Sequence, residues 1–326
     1  MKRFLRFLLK VISLFILVSF LFFFWASSST LNKEEYSKIV KVDIPISISK
    51  DSIYSIVTYN IGYLSGMTNN RAVEKQKSLF DFNLELVKKE FGILNPDIIG
   101  FQEIDYNSSR SFGINQQDEI ASLGYAYIGQ AVNWDERYLP FPYYPISAHF
   151  GKINSGQSIL SKYPILEQKR IVLERDETNW FYRDAFYLDR ILQVVKIRLD
   201  NEKEIIVMNL HLDAYNKKLR KEQFDRVMVE FTSYKEEFPV ILMGDFNSDP
   251  EYSDAVIQHL LEDKTLGNAA FKKQDYSFTF NTDIPFERLD FIFYDMSKIE
   301  MLDSRVLVEL GQASDHYPVY MQFRFK

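Results

Sequence analysis

Residues 239–247 read PVILMGDFN, an apolar run that ends in a polar Asp-Phe-Asn segment. A short apolar run bounded by turn residues is typical of a buried β-strand, which we predict over 239–244. Asp245 and Asn247 follow this strand directly. Taken alone, the segment is also consistent with a tight turn, in which the Asp and Asn side chains bond the backbone.

Polar residues follow other apolar strands in the same way, and this recurrence carries more weight than any single segment. The residues are Asn60, Glu103, His211, Asp290, Asp315 and His316. A side chain at the end of a buried strand is held rigidly, so segments distant in sequence can build one site. With Asp245 and Asn247, the set has two histidines, four carboxylates and two amides. Oxygen donors suit Mg²⁺ or Mn²⁺, and histidine transfers protons near neutral pH. The set therefore predicts metal-assisted attack of water on phosphorus.

The rest of the chain alternates between strand and helix patterns and predicts a layered α/β sandwich. Helices are predicted over 69–91, 116–123, 216–237 and 254–263. Further strands are predicted over 53–61, 97–103, 125–129, 157–160, 165–173, 186–199, 204–210, 277–280, 289–294 and 318–323. Residues 132–156 are predicted as a long aromatic loop, either an exposed lip for a lipid or glycan or a self-packed loop stiffened by prolines.

The first 30 residues form a basic and then apolar segment. Lys2, Arg3, Arg6 and Lys10 precede an apolar run over 11–26. This pattern predicts a signal peptide or an uncleaved membrane anchor over 1–30, oriented with its positive end inside. The long Phe-rich run favours an anchor. Residues 31–52 are predicted as a polar tether, and residues 53–326 as one catalytic domain outside the cytoplasm.

Composition excludes several classes of protein. The 326 residues include no cysteine, which excludes disulfide scaffolds and thiolate metal sites. A hydrophobic content of 46% argues against disorder. Beyond residue 30 the chain has 35 basic and 45 acidic residues, a formal charge of −10. Without a long basic run, this charge favours a lipid or small phosphate ester over nucleic acid.

The strand-end segments, in their order, resemble the endonuclease/exonuclease/phosphatase superfamily of DNase I-like proteins. The matching segments are Thr58–Ile61, Phe101–Glu103, Asn209–Leu212, Gly244–Asn247, Arg288–Phe291 and Ser314–Pro318. The resemblance implies a four-layer α/β/β/α sandwich with its site at one edge of the two sheets. It implies a divalent-metal-dependent phosphoesterase, with Mg²⁺ or Mn²⁺ as cofactor and no obligate protein partner.

The resemblance also implies a role for each matched residue. Glu103 and Asn60 correspond to metal ligands, and Asp315 to a further carboxylate on the metal side. Asp245 corresponds to the carboxylate that positions or deprotonates the attacking water. Asn247 corresponds to the amide that orients water or a phosphate oxygen, and His211 to the histidine that stabilises charge on the phosphoryl oxygens. His316 corresponds to the second catalytic histidine, whose ring Asp290 orients.

Three residues outside these segments are candidates for binding substrate. Arg110 could bind a phosphate or form an ion pair with Asp105 or Asp118. Arg190 interrupts an apolar strand, so an inward guanidinium would need a carboxylate or an anionic ligand, whereas an outward one would need no partner. His149 could line the entrance of the cleft or lie on the surface.

Three segments more loosely resemble a bacterial branch grouped with glycosylphosphatidylinositol lipid remodelling proteins: QEIDYNSSRS, FPYYPISAHFGKINSGQSILSKYPI and NLHLDAYN. We therefore expect a phosphodiesterase acting on a lipid-linked or small phosphate ester. A secreted or membrane-tethered nuclease and a non-catalytic surface binding module are the alternatives.

Overall fold

The computed structural model describes residues 1–45, 52–271 and 277–326. Its helices are α1 Lys2–Ala26, α2 Lys77–Leu94, α3 Gln116–Ala121, α4 Phe181–Asp184, α5 Lys217–Glu237 and α6 Gln258–Glu262. Its strands are β1 Ser37–Lys41, β2 Tyr54–Asn60, β3 Ile98–Asp105, β4 Tyr127–Leu139, β5 Gly151–Ser161, β6 Ile165–Val172, β7 Ile191–Arg198, β8 Glu204–His211, β9 Val240–Asp245, β10 Leu266–Asn268, β11 Asp290–Asp295, β12 Ile299–Val306 and β13 Val319–Phe325.

The strands form two sheets that pack face to face. The first has the order β1-β4-β5-β3-β2-β13-β12, and the second β10-β11-β9-β8-β7-β6. Apolar side chains such as Ile56, Val207 and Met243 fill the space between the sheets. Helices α2 and α3 cover the outer face of the first sheet, and α5 and α6 that of the second. The predicted four-layer α/β/β/α sandwich is confirmed.

Local sequence signals explain where the two long covering helices begin and end. The side chain of Asn216 accepts a hydrogen bond from the Leu219 amide at 3.1 Å and caps the start of α5. At the end of α2, Asn95 adopts a left-handed φ of 51°, and its amide bonds the Phe91 carbonyl. Each helix then buries one apolar stripe, which includes Phe91 in α2 and Phe231 in α5.

A buried amide contact joins the two sheets beneath the predicted site. Gln102 of β3 donates from Nε2 to Asn209 Oδ1 of β8 at 2.6 Å. Asn209 in turn donates from Nδ2 to the Phe101 carbonyl at 3.0 Å. Because the Gln102 amide nitrogen and both polar atoms of the Asn209 side chain are hydrogen-bonded, these groups can be buried at the centre of an apolar sandwich. The contact fixes the residues that follow, Glu103 and His211, relative to one another.

The prediction of a long loop over 132–156 is wrong. Most of that range belongs to β4 and β5, which pair antiparallel and leave only residues 140–150 as the connection. Polar side chains on these strands are buried, among them Asp135, Glu136 and Asn154, and they break the alternation that identifies strands.

Other boundaries also differ from the prediction. Helix α2 begins at Lys77 rather than at 69, and α6 is only five residues long. The strand predicted over 277–280 is reduced to an isolated bridge at Phe280. In the predicted tether, residues 37–41 form β1 and pair with β4, whereas residues 46–51 lie outside the described part of the chain.

Candidate active site

Strand register brings the polar strand ends to one edge of the sandwich. His211 at the end of β8 lies beside Asp245 at the end of the parallel strand β9. Asp290, the first residue of the antiparallel strand β11, pairs with Asp245 from the other side. In the facing sheet, the parallel strands β2 and β3 bring Asn60 level with Gln102, next to Glu103. The site is therefore built from both sheets.

One carboxylate oxygen, Asp245 Oδ2, lies at the centre of this cluster. Asn60 Nδ2 donates to it at 2.9 Å, and His211 Nε2 and His316 Nε2 lie 3.5 and 3.9 Å away. The burial of Asp245 and the nearby Asp290 raise its pKa against the opposing effect of His316, to about 7. A carboxylate between two imidazoles can exchange protons with a water molecule near neutral pH.

Backbone conformation aims two further side chains at the same edge. Glu103 has φ of 53° and Asn247 has φ of 48°, in the left-handed region that side chains other than glycine seldom adopt. A break in the β3–β5 register between Phe101 and Ile104 accompanies the turn at Glu103. Asn247 donates from Nδ2 to the Leu212 carbonyl at 2.9 Å. Such strained positions concentrate at functional sites.

A buried hydrogen bond orients one histidine. His316 Nδ1 lies 2.8 Å from Asp290 Oδ2. Burial by itself would lower the pKa of His316, but the carboxylates of Asp290 and Asp245 outweigh it and hold that pKa well above the usual value. The bond leaves Nε2 as the free ring nitrogen of His316.

The second histidine has the opposite electrostatic surroundings. Burial, together with the neighbouring Arg190 and His316, holds the pKa of His211 well below its usual value. A neutral His211 can donate one hydrogen bond without carrying charge. The surroundings thus shift the pKa values of the two imidazoles in opposite directions, as a site that uses separate acid and base groups requires.

Two carboxylates beside this cluster, those of Glu103 and Asp315, have no lysine or arginine partner among the described residues. Asn69 Nδ2 bridges Glu103 Oε2 at 3.3 Å and the two oxygens of Asp315 at 3.2 and 3.1 Å. Burial and the charge of Glu103, opposed by His316, raise the pKa of Asp315. In the described part of the chain, neither carboxylate has a lysine or arginine within 4.0 Å. These oxygen donors fit a divalent cation such as Mg²⁺ or Mn²⁺.

A second group of possible ligands is Asp245, Asp290 and His316, whose ligand atoms all lie within 4.8 Å of one another. Two of these atoms already bond each other at 2.8 Å, namely His316 Nδ1 and Asp290 Oδ2. An ion between them would have to break that bond. This bond suits the pair to orienting the imidazole, whereas the oxygens of Glu103 and Asp315 accept only amide hydrogen bonds from Asn60 and Asn69 among side chains other than Ser314 in the described residues.

The sequence did not identify Asn69 as a site residue, because residues 69–91 were predicted as a helix. The residue lies in the turn-rich segment before α2 and follows no apolar strand. An Asn-Asn pair at 69–70, with Asn70 at φ of 53°, marks a turn rather than a helix start.

The site opens into a cavity of about 990 Å³. Glu103, His211, Asp245, Asn247, Asp315 and His316 line its inner end, and Arg190 lies beside them. Arg190 is buried, and in the part of the chain that the structure describes its Nε and Nη1 have no hydrogen-bond partner. Among the described residues, no carboxylate lies within 4.0 Å of it. Of the two predicted orientations of Arg190, the structure therefore shows the inward one. The carboxylate partner that this orientation would need is not found among the described residues.

Arg110 and His149 are placed differently. Arg110 reaches the cavity, but its Nη2 and Nε bond Asp105 at 2.9 and 3.0 Å, so the ion pair predicted as an alternative is present and buried. His149 Nδ1 lies 2.8 Å from the Tyr138 hydroxyl. It is not among the residues that line the cavity. The structure does not bring His149 to the site, because this bond directs the ring to the loop.

Residues 57–316 match the model of the Endonuclease/Exonuclease/phosphatase family. The chain belongs to this family. The predicted family is therefore confirmed, and members of this family are metal-dependent phosphoric ester hydrolases. A UPF0294 protein of Yersinia pseudotuberculosis is 33% identical over 135 residues, which cover 41% of this chain and 44% of that protein. A UPF0294 protein of Vibrio cholerae is 30% identical over 131 residues. The chain thus covers less than half the length of these relatives.

Solved structures of the endonuclease/exonuclease/phosphatase family share the fold. A family member from Beutenbergia cavernae superposes with a TM-score of 0.62 at 19% identity, over 84% of this chain and 72% of that one. A mannosyl-6-phosphatase of Bacteroides thetaiotaomicron gives 0.59 at 19% identity, over 83% and 100%. The human Nocturnin catalytic domain with bound sulfate gives 0.58 at 16% identity, over 91% and 100%. At these identities the likeness concerns the fold alone.

Proposed function

We propose that the protein is a divalent-metal-dependent phosphodiesterase that hydrolyses a lipid-linked or other small phosphate ester outside the cytoplasm. The observation that carries the proposal is Arg190, a buried cation in the cavity that holds His211 and Asp245, whose Nε and Nη1 have no hydrogen-bond partner among the described residues. A buried guanidinium is costly unless an anion balances it. A phosphate ester supplies that anion and can accept two parallel hydrogen bonds from Arg.

Glu103 and Asp315 would hold the metal, with Asn60 and Asn69 as neighbouring amides. The bound ion would stabilise charge on a phosphoryl oxygen and make water a better nucleophile. The set of ligands is thus all oxygen, which agrees with a chain that has no cysteine.

The protein's own side chains account for the remaining chemistry. Asp245 orients the attacking water and accepts its proton as the new P–O bond forms. His316, whose ring Asp290 fixes, donates a proton to the leaving oxygen as the ester bond breaks. Arg190 and His211 balance charge on the phosphoryl oxygens. Water adds across the ester, so the products are an alcohol and a phosphate with one ester bond fewer.

Two features favour a lipid-linked substrate over nucleic acid. The chain beyond residue 30 has a formal charge of −10, which opposes binding of an extended polyanion. The outer end of the cavity is aromatic, with Phe23, Phe141, Tyr143 and Tyr182 among its lining residues. Arg110 also reaches the cavity but is paired with Asp105, whereas Arg190 has no carboxylate within 4.0 Å among the described residues. An aromatic entrance that leads to such an arginine suits an amphiphile with one phosphate group.

Helix α1 supports a membrane location. Its 25 residues are long and apolar enough to cross a bilayer, and a signal sequence would pass the same test. Phe23 of this helix lines the cavity and packs on Phe186 at 5.5 Å between ring centroids. Cleavage after residue 26 would remove a wall of the cavity. This contact favours a retained anchor, with the basic residues 2–10 on the cytoplasmic side.

The test uses the full chain in detergent micelles with added Mg²⁺ or Mn²⁺. We expect EDTA-sensitive hydrolysis of bis-(p-nitrophenyl) phosphate and of a phospholipid in mixed micelles, and loss of both with His316→Ala. His259→Ala is the matched control, because His259 stacks on Phe224 in an outer layer. Degradation of DNA without hydrolysis of lipid would establish a nuclease instead.

A further inference from the structure

An exposed aromatic surface surrounds the cavity mouth. We define this surface, the aromatic collar, as Phe141, Tyr143, Tyr144, Ile146, Trp180, Phe181 and Tyr182. Tyr144 is 82% exposed, and Trp180 and Phe181 are each 72% exposed. Soluble proteins seldom leave so many large apolar side chains together in water, so a collar of this kind indicates a contact surface.

The collar is continuous with the apolar surface of helix α1. The ring of Phe23 lies 5.8 Å from that of Phe181. On the other side of the helix, Tyr138 lies 5.9 Å from Phe22 and 6.4 Å from Trp25. The last turn of α1 is therefore seated between the two segments that carry the collar, 138–146 and 180–186.

A short, hydrogen-bonded connection fixes the helix relative to the domain. The carboxylate of Asp135 accepts hydrogen bonds from the Thr30 amide at 2.8 Å, from the Thr30 hydroxyl at 2.6 Å and from the Leu31 amide at 2.9 Å. Tyr36 adds its hydroxyl at 3.0 Å. Arg137 donates from its amide to the Ser28 carbonyl at 3.1 Å. Because these bonds begin two residues after α1 ends, the domain cannot turn freely on its anchor.

We propose that the aromatic collar is a membrane-docking surface, and that its partner is the phospholipid bilayer that α1 spans. Tyr and Trp side chains favour the membrane interface, where the ring is apolar and the polar atom meets water. The collar, held at the end of a spanning helix, would lie at that interface. The cavity mouth would then face the lipid headgroups, and the substrate would enter without leaving the bilayer.

The choice of a lipid substrate rests on the proposed function, whereas the docking itself does not. The chain has no cysteine, so a single introduced cysteine can carry a unique fluorescent label. The full chain is reconstituted in nanodiscs of phosphatidylcholine and phosphatidylglycerol. A nitrobenzoxadiazole label is placed at Tyr144→Cys or Trp180→Cys, and lipids with a nitroxide near the headgroup serve as quenchers. Phe82→Cys, at an exposed position of α2, is the control.

We expect quenching at the two collar positions to exceed that at the control position at least about threefold, because only the collar lies in the interface. Equal quenching at all three positions would overturn the proposal. A second outcome is that the chain forms dimers in the nanodisc and that lipid does not quench the collar labels. This result would assign the collar to contact with a second copy of the chain and would also overturn the proposal.

Hydrolysis measurements separate docking from catalysis. The triple variant Tyr144→Ser, Ile146→Ser, Trp180→Ser changes side chains that do not line the cavity. We expect it to hydrolyse bis-(p-nitrophenyl) phosphate within about twofold of the unmodified chain and a phospholipid in vesicles at least about tenfold more slowly. Equal loss on both substrates would contradict the docking role. Absence of hydrolysis by the unmodified chain would contradict the proposed function and leave the quenching result standing.

Discussion

His316 Nδ1 and Asp290 Oδ2 lie 2.8 Å apart, and both side chains are buried. Asp290 is the first residue of β11, and His316 lies just before β13. Their bond fixes the orientation of the imidazole and leaves Nε2 directed at Asp245, 3.9 Å away. The geometry makes Asp290 a positioning residue, because it acts on the substrate only through His316.

Replacement of Asp290 tests this relationship. We expect Asp290→Asn to lower kcat for bis-(p-nitrophenyl) phosphate by about 10²-fold, with a smaller change in KM, because the amide allows the ring to adopt the wrong tautomer. Asp295→Asn is the control, since Asp295 is also buried on β11 but bonds only the turn at Ser297. An unchanged kcat in Asp290→Asn would contradict the positioning role.

Arg190 predicts opposite effects on stability and activity. Removing a buried charge that has no carboxylate partner among the described residues should stabilise the fold, so we expect Arg190→Gln to raise Tm by a few degrees, at roughly 1 kcal/mol or more. The same variant should lose about 10²-fold in kcat/KM, because the phosphate loses its guanidinium. Arg170→Gln, which removes an ion pair of 2.7 Å with Asp189, should not raise Tm. Both quantities are measured by thermal unfolding and steady-state kinetics. A lower Tm together with full activity in Arg190→Gln would contradict the assignment.

We predict that Glu136 makes the free energy of unfolding depend on pH. Burial and the adjacent Asp135 raise the pKa of Glu136 to about 8, against the opposing effect of Arg175. The folded chain therefore binds this proton more tightly than the unfolded chain, and the stability that it contributes is lost as pH rises from about 4.5 to 8. We expect Glu136→Gln to remove that loss, on the order of a few kcal/mol at pH 9, and to change little at pH 5. Chemical unfolding at several pH values measures the difference. A pH profile that does not change in Glu136→Gln would contradict the prediction.

We predict that the carboxylate of Asp135 keeps the connection between α1 and the domain rigid. We expect Asp135→Asn to weaken three or more hydrogen bonds to residues 30–36 and to increase hydrogen exchange there by about tenfold. Asp263→Asn is the control, because Asp263 bonds only the exposed turn at Thr265. Equal exchange in the two variants would show that other contacts hold the helix.

The sequence allowed prediction of the site where polar residues follow buried strands. His211 and Asp245 were predictable because a continuous apolar run makes each strand visible, and because a charged residue at its end is conspicuous. The register of parallel strands then brings such ends together. Glu103 was predicted from the same pattern and lies in the cluster, although the left-handed φ that aims its side chain could not be read from residue types.

The remaining features depend on contacts that are distant in sequence. Residues 132–156 were predicted as a loop because their buried polar side chains are satisfied only by partners elsewhere, as Asp135 is by Thr30. Strand β1 was missed because a short edge strand has no pattern of its own apart from its pairing with β4. For Arg190, the sequence left two orientations open, and only the packed structure distinguishes them.

The central claim is that Glu103, Asp245 and His316 form one metal-dependent phosphoesterase site. Its most direct test is the rate of bis-(p-nitrophenyl) phosphate hydrolysis by the full chain, titrated with Mg²⁺ or Mn²⁺ after removal of metal by EDTA. We predict that activity returns with the metal, that Glu103→Gln requires at least about tenfold more metal, and that Asp245→Asn and His316→Ala remain inactive at any metal concentration. Hydrolysis that persists in EDTA, or that survives in Asp245→Asn and His316→Ala, would contradict the claim.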